Sequence, residues 1–417
     1  MKTSLLFAVP AALFAVSVCA QSTDPGPLDG QWKTKQLTDK FWAEGACAAD
    51  VNHDGKMDVL CGPYWYAGPD FATVHKIYGD EKSFTKKKAD GTEEKIAGFE
   101  GCLSGKNGYS DNFLSYAYDF NGDGWTDYLV FGWPGKETFW YENPQGKDEP
   151  WKQHVVMKVT DNESPMLADV NGDKVPDVLC NSGGQLGYAT MDPKNPSAEW
   201  AWHPISGAPD KRFQRYTHGI GCADINGDGR ADILETQGWW EQPANWDGKT
   251  PWTKHAAKFG EGGAQMYGLD VNGDGKMDII TCLNPHGYGL AWFEQTATGW
   301  TQHLITGTKT EKGETGVTFT QPHAIDIADM NGDGLPDIVT GKRVWAHGPT
   351  GDVEPGAPGV VYWFELKRDG GKASFIPHLI HNDSGVGTEV MAVDLNGDKK
   401  LDVVVGNKRG CFVSIRQ

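Results

Sequence analysis

The chain has 417 residues, with 38 Lys+Arg against 56 Asp+Glu, a formal net charge of -18 at pH 7 and 11% aromatic residues. The aromatic content excludes a disordered chain, and the acidic balance argues against a nucleic-acid-binding protein, which would carry a basic surface. After residue 20 no apolar run is long enough to span a membrane, so no membrane span is predicted.

The first twenty residues are typical of an export signal. Lys2 supplies a positive charge, an apolar stretch follows, and Val18-Cys19-Ala20 fits a small-residue cleavage site. Cleavage is predicted after Ala20, and acylation of Cys19, as in a lipoprotein, is the alternative. We therefore expect a secreted or periplasmic protein in which residues 21–417 form one domain.

Cysteine use leaves two alternatives open. Of eight cysteines, removal of the one in the signal leaves seven (8 - 1), so at least one is unpaired within the chain. Cys47 and Cys61 are equidistant from Asp54, and a hairpin turning there would place them opposite each other. A cross-strand disulfide is one prediction, and small buried hydrophobic thiols are the other.

A nine-residue pattern, Asp-x-Asn-x-Asp-Gly-x-x-Asp, occurs seven times, with some variation at position 6. The oxygens at positions 1, 3, 5 and 9, with a backbone carbonyl near position 7, suit a hard cation with loose geometry, so Ca²⁺ is predicted in several loops. Lys174 and Lys399 replace the glycine of position 6 in two copies, where weaker binding is expected. The predicted ligands are Asp50, Asn52, Asp54, Asp58, Asp119, Asn121, Asp123, Asp127, Asp169, Asn171, Asp173, Asp177, Asp224, Asn226, Asp228, Asp232, Asp270, Asn272, Asp274, Asp278, Asp329, Asn331, Asp333, Asp337, Asp394, Asn396, Asp398 and Asp402.

Short β-type runs flank each motif, in place of the helices that an EF-hand requires. An aromatic strand follows, and then an outer strand with a central histidine. Four short strands per repeat are typical of a β-propeller blade. We interpret the outer-strand histidines as structural, packing beside Trp and bonding a neighbouring blade. They are His75, His154, His203, His255, His303 and His378.

The two ends of the chain predict how the repeats close into a ring. The last repeat stops at Gln417 after its third strand, while Gln31–Thr38 (QWKTKQLT) matches an outer strand. This N-terminal strand is therefore expected to complete the last blade and remove its sheet edges. The prediction is an all-β fold, a seven-bladed β-propeller whose calcium-binding turns join the first and second strands of each blade.

The repeats resemble the FG-GAP/VCBS family of calcium-loop propellers over nearly the whole mature chain. That family includes adhesion modules, lectins and enzymes, so the resemblance implies a fold and calcium loops without naming one activity.

Function is predicted at the propeller end opposite the calcium turns, because its loops vary in length. Its long segments are 79–112, 207–217, 307–321 and 341–359. His218, His323 and Glu163 each lie six residues before the first Asp of a motif. Loops between second and third strands add further polar side chains above them. The candidate catalytic residues are His218, His323, Glu163, His286, Arg343, His347 and Tyr64.

Three functions remain open, each with a carbohydrate or sugar-derived small molecule as partner. In the first, His218 and His323, with Glu163, hold Zn²⁺ or another transition metal that polarises a sugar oxygen during β-elimination. This layout resembles the propeller domain of aldos-2-ulose dehydratase. In the second, the same residues act without metal as a polysaccharide lyase. A His or Tyr removes the proton next to a uronate carboxylate, and Lys342, Arg343 or calcium neutralises that carboxylate. Rhamnogalacturonan lyases have a related propeller, usually of eight blades. The third is a non-catalytic carbohydrate-binding or adhesion propeller.

Overall fold

The structure is a computed structural model that describes residues 31–79 and 82–417. The predicted export signal (residues 1–20) and residues 21–30 of the predicted domain lie outside the described residues. The described part contains 29 strands and one short 3₁₀ helix, Lys211–Phe213, so the predicted all-β class is confirmed. None of the helical structure in these ranges is long and apolar enough to cross a membrane.

The strands are numbered in chain order. The first fourteen are β1 Trp32–Thr38, β2 Cys47–Ala49, β3 Asp58–Cys61, β4 Tyr64–Ala67, β5 Thr73–Lys76, β6 Ser83–Lys87, β7 Glu93–Ala97, β8 Leu114–Tyr118, β9 Asp127–Phe131, β10 Lys136–Glu142, β11 Lys152–Ala168, β12 Asp177–Ser182, β13 Gln185–Thr190 and β14 Ala201–Pro204. The others are β15 Ile220–Ala223, β16 Asp232–Glu235, β17 Gly238–Glu241, β18 Thr253–Ala256, β19 Gln265–Leu269, β20 Asp278–Cys282, β21 Leu290–Thr296, β22 Gly299–Leu304, β23 Ile325–Ala328, β24 Asp337–Gly341, β25 Val361–Asp369, β26 Lys372–His381, β27 Val390–Val393, β28 Asp402–Asn407 and β29 Gly410–Arg416.

The strands pair as antiparallel units of four. β2–β5 and β23–β26 are separate sheets, while β8–β14 form one sheet because the long strand β11 takes part in two units. The units β15–β18 and β19–β22 are joined by parallel pairing of β15 with β19. β6 and β7 form a hairpin within the long segment 79–112.

The N-terminal strand completes the last unit. β1 pairs antiparallel with β29, with Trp32 opposite Arg416 and Gln36 opposite Phe412. The pairing that the sequence predicts between this segment and the last repeat is confirmed. It supplies hydrogen-bond partners to an edge that would otherwise be open.

The first strands of successive units lie beside one another. Contacts run from β2 to β8, β11, β15, β19, β23 and β27, and from β27 back to β2. The apolar core lies between neighbouring sheets, where for example Ile280 of β20 and Ile338 of β24 share one buried cluster. Because the first strands adjoin, side chains that precede them in different repeats are brought close together.

The last aspartate of each motif has a structural role that the sequence did not reveal. Asp58 is fully buried, and its two oxygens accept hydrogen bonds from the backbone N–H groups of Val51 (3.0 Å) and Gly68 (2.9 Å). The bond to the second motif residue recurs in the other copies. This carboxylate therefore ties each loop to its own sheet.

The two copies with lysine at position 6 keep the loop conformation. Lys174 and Lys399 have φ of 71° and 69°, in the left-handed region that glycine occupies in the other copies. Their backbone N–H groups donate to Asp169 (2.9 Å) and Asp394 (2.8 Å), as that of the position 6 glycine does in the first copy. The loops thus fold alike, with backbone strain at the two lysines.

The predicted disulfide between Cys47 and Cys61 is wrong. In the β2–β3 register Cys47 lies opposite Leu60, one residue short of Cys61, and both thiols are free. Because side chains alternate across a strand, this one-residue offset sends the two thiols into different core clusters.

The outer-strand histidines are structural, but one predicted contact is wrong. The ring of His303 stacks on Trp292 of the adjacent strand at 4.1 Å, and its Nε2 lies 2.9 Å from the Glu294 carboxylate. The His–Glu contact recurs in three other repeats. Each partner lies in the same sheet and not in a neighbouring unit, because cross-strand residues on one face are the nearest available groups.

Candidate functional site

His218, His323 and Glu163 come together at the starts of the first strands. His218 precedes β15, His323 precedes β23 and Glu163 lies in β11. The Nε2 atoms of the histidines are 3.2 Å apart, and the Oε2 atom of Glu163 lies 3.3 Å from His218 Nε2 and 3.4 Å from His323 Nε2. The expected convergence of the two imidazoles is confirmed. The acidic motifs follow the same strands, so they lie at the opposite strand ends.

His286 completes the group from the loop between β20 and β21. Its Nε2 lies 3.1 Å from that of His218. Three imidazole nitrogens and one carboxylate oxygen thus face one point, with the ligand atoms within 4.8 Å of one another. The sequence indicated His286 as a candidate without indicating that it joins this set.

Hydrogen bonding among these groups cannot satisfy all of their contacts. His218 Nε2 has three close neighbours, the Nε2 atoms of His286 and His323 and the Glu163 oxygen. A ring nitrogen offers either one hydrogen or one lone pair, so it cannot form a well-aligned hydrogen bond with all three neighbours. A cation between the four atoms would use every lone pair, and the donor set therefore fits a metal ion.

The charges of the cluster suit metal binding. Burial alone would raise the pKa of Glu163, but hydrogen bonding to His218 and His323 outweighs it and holds that pKa below its ordinary value. Burial, with repulsion from the neighbouring imidazoles, lowers the pKa of His286 to about 2, and burial with the Arg343 charge lowers that of His323 to about 3. Neutral imidazole and ionised carboxylate are the forms that bind metals.

Arg343 is buried and lies next to the Glu163 carboxylate of the cluster. Its guanidinium donates to Glu44 (Nη2 to Oε2, 2.9 Å) and lies 4.0 Å from the Glu163 carboxylate. Lys408 Nζ lies 3.7 Å from the other oxygen of Glu44. Arg343, Glu44 and Lys408 are all fully buried, so the cations depend on this carboxylate for compensation.

His347 stands at the rim of the same site. Its Nδ1 donates to Asp352 (2.9 Å), whose side chain is buried and also accepts the backbone N–H groups of Ala346 and His347. This bond leaves Nε2 with a free lone pair, and the His347 side chain is 53% exposed. The sequence did not indicate Asp352, because it lies outside any motif in the long segment 341–359.

An aromatic wall borders the cluster. A cavity of about 530 Å³ is lined by three members of the cluster, Glu163, His218 and His286, and by Tyr109, Trp133 and Tyr216. The Tyr109 and Trp133 rings are 4.1 Å apart, and those of Trp133 and Tyr216 are 6.1 Å apart. Tyr109 and Tyr216 come from the long segments 79–112 and 207–217, but their roles could not be read from the sequence.

Five of the seven candidate catalytic residues line this cavity, and they are Glu163, His218, His286, Arg343 and His347. His323 is fully buried and joins the cluster through His218 and Glu163, whereas Tyr64 lies elsewhere. Tyr64 begins β4 and its ring packs against Trp42 at 5.1 Å. It is not among the residues that line the cavity.

Within 31–79 and 82–417, two groups place three or more His, Cys, Asp or Glu ligand atoms within 4.8 Å of one another. One is Glu163 with the three histidines, and the other is His286, His347 and Asp352, so His286 belongs to both. Neither group includes the motif aspartates, whose position 9 carboxylates are turned into the fold.

Comparison with solved structures gives remote likenesses. The exotype rhamnogalacturonan lyase YesX is 13% identical, with 92% of this chain and 72% of that chain covered and a TM-score of 0.42. An Agrocybe aegerita lectin that recognises non-reducing terminal N-acetylglucosamine is 16% identical, with 86% and 73% covered and a TM-score of 0.30. BBS1N, solved in complex with ARL6DN, is 10% identical, with 93% and 97% covered and a TM-score of 0.46.

No curated protein matches the sequence significantly. The family model for the FG-GAP-like repeat matches residues 119–180 and 270–340. Each segment begins at the first aspartate of a motif, so the match coincides with the acidic loops and the strands around them. The chain therefore contains FG-GAP-like repeats, as its sequence predicts.

Proposed function

We propose that the protein is a metal-dependent carbohydrate lyase or dehydratase that acts by β-elimination. In this proposal the four-stranded units are the blades of a seven-bladed propeller, and the site lies at the channel mouth away from the acidic turns. The contacts among first strands, which run through every unit and return to β2, support the ring.

The observation that carries the proposal is the spacing of the four donor atoms. A tetrahedral ion with bonds of about 2.0–2.1 Å holds its ligand atoms about 3.3–3.4 Å apart. Four of the six separations among Glu163, His218, His286 and His323 run from 3.1 to 3.4 Å, and all six lie within 4.8 Å. Imidazole donors suit Zn²⁺ and other first-row transition metals, and Zn²⁺ can accept a fifth ligand from a substrate.

A metal bound there would polarise a sugar carbonyl, carboxylate or hydroxyl oxygen. His347, oriented by Asp352, is placed to accept through Nε2 the proton on the carbon next to that group. The electrons of the broken C–H bond form the new double bond. The leaving oxygen departs with its bonding pair and gains a proton, giving water or the hydroxyl of a released sugar. His218 and His323 hold Glu163 ionised, and the Arg343 guanidinium lies 4.0 Å from its carboxylate.

A non-catalytic carbohydrate-binding propeller is the second candidate. It is favoured by the count of protein donors, because four of them would fill a tetrahedral ion and leave no position for substrate. The aromatic wall would stack on sugar rings in either case.

The deciding experiment asks whether product formation depends on the bound metal. The purified chain, with and without chelation and zinc reloading, is mixed with keto-sugars and with uronate polymers, and the ultraviolet absorbance of conjugated alkenes is followed. We expect zinc-dependent product that is lost in His218→Ala and retained in His255→Ala, an outer-strand control. Bound zinc without product from either class of substrate would favour the binding module.

We also propose that the acidic loops bind Ca²⁺ through positions 1, 3 and 5, which stay at the exposed turn while position 9 is structural. Calcium added to the chelated protein should raise the unfolding midpoint in a concentration-dependent way. An unchanged midpoint would remove calcium from the proposal.

Export from the cytoplasm is likewise a proposal. It rests on residues 1–20 alone, with cleavage after Ala20. Sequencing the N-terminus of the protein recovered from its source would test it, because a chain that still begins at Met1 contradicts cleavage.

A further inference from the structure

We infer that Tyr216 is the point at which a sugar chain leaves the metal pocket, so that the substrate is an oligosaccharide or polysaccharide and not a single sugar. The inference rests on the proposed function only in placing the reacting unit at the metal cluster.

Three cavities meet at the Tyr216 ring. The metal pocket of about 530 Å³ lies on one side. A second cavity of about 310 Å³ shares Tyr216 and His218 with it, and a third of about 540 Å³ shares Tyr216 with both. Each is of a size that holds a small ligand, so the series exceeds what one sugar unit fills.

Tyr216 combines an exposed ring with a fixed backbone. Its side chain is 46% exposed, among the highest values for the large apolar residues described. The residues on both sides are held to β11, since Asn162 N–H donates to the Arg215 carbonyl (3.0 Å) and Glu163 N–H to the Thr217 carbonyl (2.8 Å). A preorganised ring loses little conformational entropy when a ligand stacks on it.

The ring also continues the aromatic wall. The Trp133 ring lies 6.1 Å from that of Tyr216 and 4.1 Å from that of Tyr109, so three neighbouring aromatic rings line the cavity beside the metal cluster. Isolated exposed aromatics are ordinary on protein surfaces, but a row that borders a polar cavity is typical of a binding groove. The apolar faces of successive sugar rings fit such a row.

The polar lining of the outer cavities favours a polyhydroxylated ligand. Arg212 and Glu235 line the second cavity, and the third has two acidic and two basic side chains. A lining of both signs, in a chain of net charge -18, lacks the basic field that a nucleic acid requires. Asn181 is 2% exposed and lines the second cavity, and its Oδ1 has no hydrogen-bond partner in the described protein. A sugar hydroxyl could donate to it.

Calorimetry with two defined series tests the inference, galacturonate oligomers and cello-oligosaccharides, each from monomer to hexamer. The zinc-loaded full chain is compared with Tyr216→Ala, Tyr216→Phe and Tyr118→Ala. Tyr118 is also exposed, at 37%, but ends β8 beside an acidic loop, which makes it a matched control.

We expect the hexamer of one series to bind at least about tenfold more tightly than its monomer, the gain typical of one buried aromatic contact. Tyr216→Ala should remove most of that gain and leave monomer affinity unchanged, while Tyr216→Phe and Tyr118→Ala retain it. Equal affinity for all lengths, or no binding of either series, overturns the inference. Elimination products from monosaccharides alone would then leave the proposed function standing, whereas length-dependent binding without any product would support the groove and contradict the chemistry.

Discussion

The Nε2 atoms of His218 and His323 lie 3.2 Å apart, although 105 residues separate them in the sequence. They meet because each precedes the first strand of its unit, β15 and β23, and both of those strands contact β19. In the described part of the chain the other close polar contacts of these two nitrogens are to Glu163 and, for His218, to His286. All of these groups belong to the same cluster and could share a metal ion.

Loss of His323 should therefore cost metal affinity. We expect His323→Ala to weaken zinc binding by at least about 100-fold. Removing a group that only hydrogen-bonds to a metal ligand already lowers metal affinity by about 10–100-fold, and loss of a ligand should lower it at least as much. Competition with a zinc chelator measures the affinity. His303→Ala, which removes a stacked outer-strand histidine, should bind zinc as the wild type does. Equal affinity in His323→Ala would contradict a role for this residue as a ligand.

Glu44 should be required for stability. It is fully buried, and its carboxylate compensates Arg343 and Lys408, which are buried as well. Glu44→Gln leaves an uncompensated cation in the interior, and we expect the free energy of unfolding to fall by about 3–5 kcal/mol. Urea unfolding measures it, with Glu199→Gln, which removes an exposed ion pair to Lys158, as the control. A change equal to that of the control would show that the Glu44 charge is dispensable.

Asp326 should make the protein less stable as pH rises. Asp326 lines a cavity between the first strands, and its burial there raises its pKa from 3.8 to about 6. The native state therefore holds the proton more tightly than the unfolded chain does. The resulting stabilisation is complete below about pH 4 and is lost as pH rises through about 6, by at most about 3 kcal/mol. Asp326→Asn should lessen the difference in unfolding free energy between about pH 4 and about pH 7.

Comparing Asp326→Asn with the wild type measures the contribution of one carboxyl among several whose pKa is raised. The buried Glu389 of the same cavity also has a raised pKa, because of its burial, and contributes a slope of the same sign. Asp148→Asn, which changes an exposed carboxylate, should leave the pH dependence as it is in the wild type. An identical slope in Asp326→Asn would show that this group does not titrate in the window.

Glycine at position 6 should relieve strain in two loops. Lys174→Gly and Lys399→Gly replace residues whose φ is positive, and each should raise the free energy of unfolding by about 1 kcal/mol. Thermal unfolding measures the gain. Lys400→Gly, one position further along where φ is not positive, should give no gain, since glycine there only adds entropy to the unfolded chain. If Lys399→Gly and Lys400→Gly changed the free energy of unfolding equally, backbone strain at position 6 would be contradicted.

Local repetition explains what could be predicted. The acidic motif, the strands beside it and the outer-strand histidines recur in each repeat, so their pattern is visible without any knowledge of the fold. The equivalent positions of His218, His323 and Glu163 follow from counting back from each motif. Position 9 shows the limit, because the motif predicts Asp58 and its equivalents as ligands but does not reveal that their buried oxygens also accept backbone N–H bonds.

The sequence by itself determined the all-β class, the repeats and the pairing of the N-terminal strand with the last unit, because these depend on short-range periodicity. Only the tertiary structure decided that His286 joins the cluster, that Asp352 orients His347 and that Tyr216 borders three cavities. Those residues lie in segments without periodicity, and their positions follow from contacts between distant parts of the chain. A one-residue register, invisible in the sequence, likewise decided that Cys47 and Cys61 stay apart.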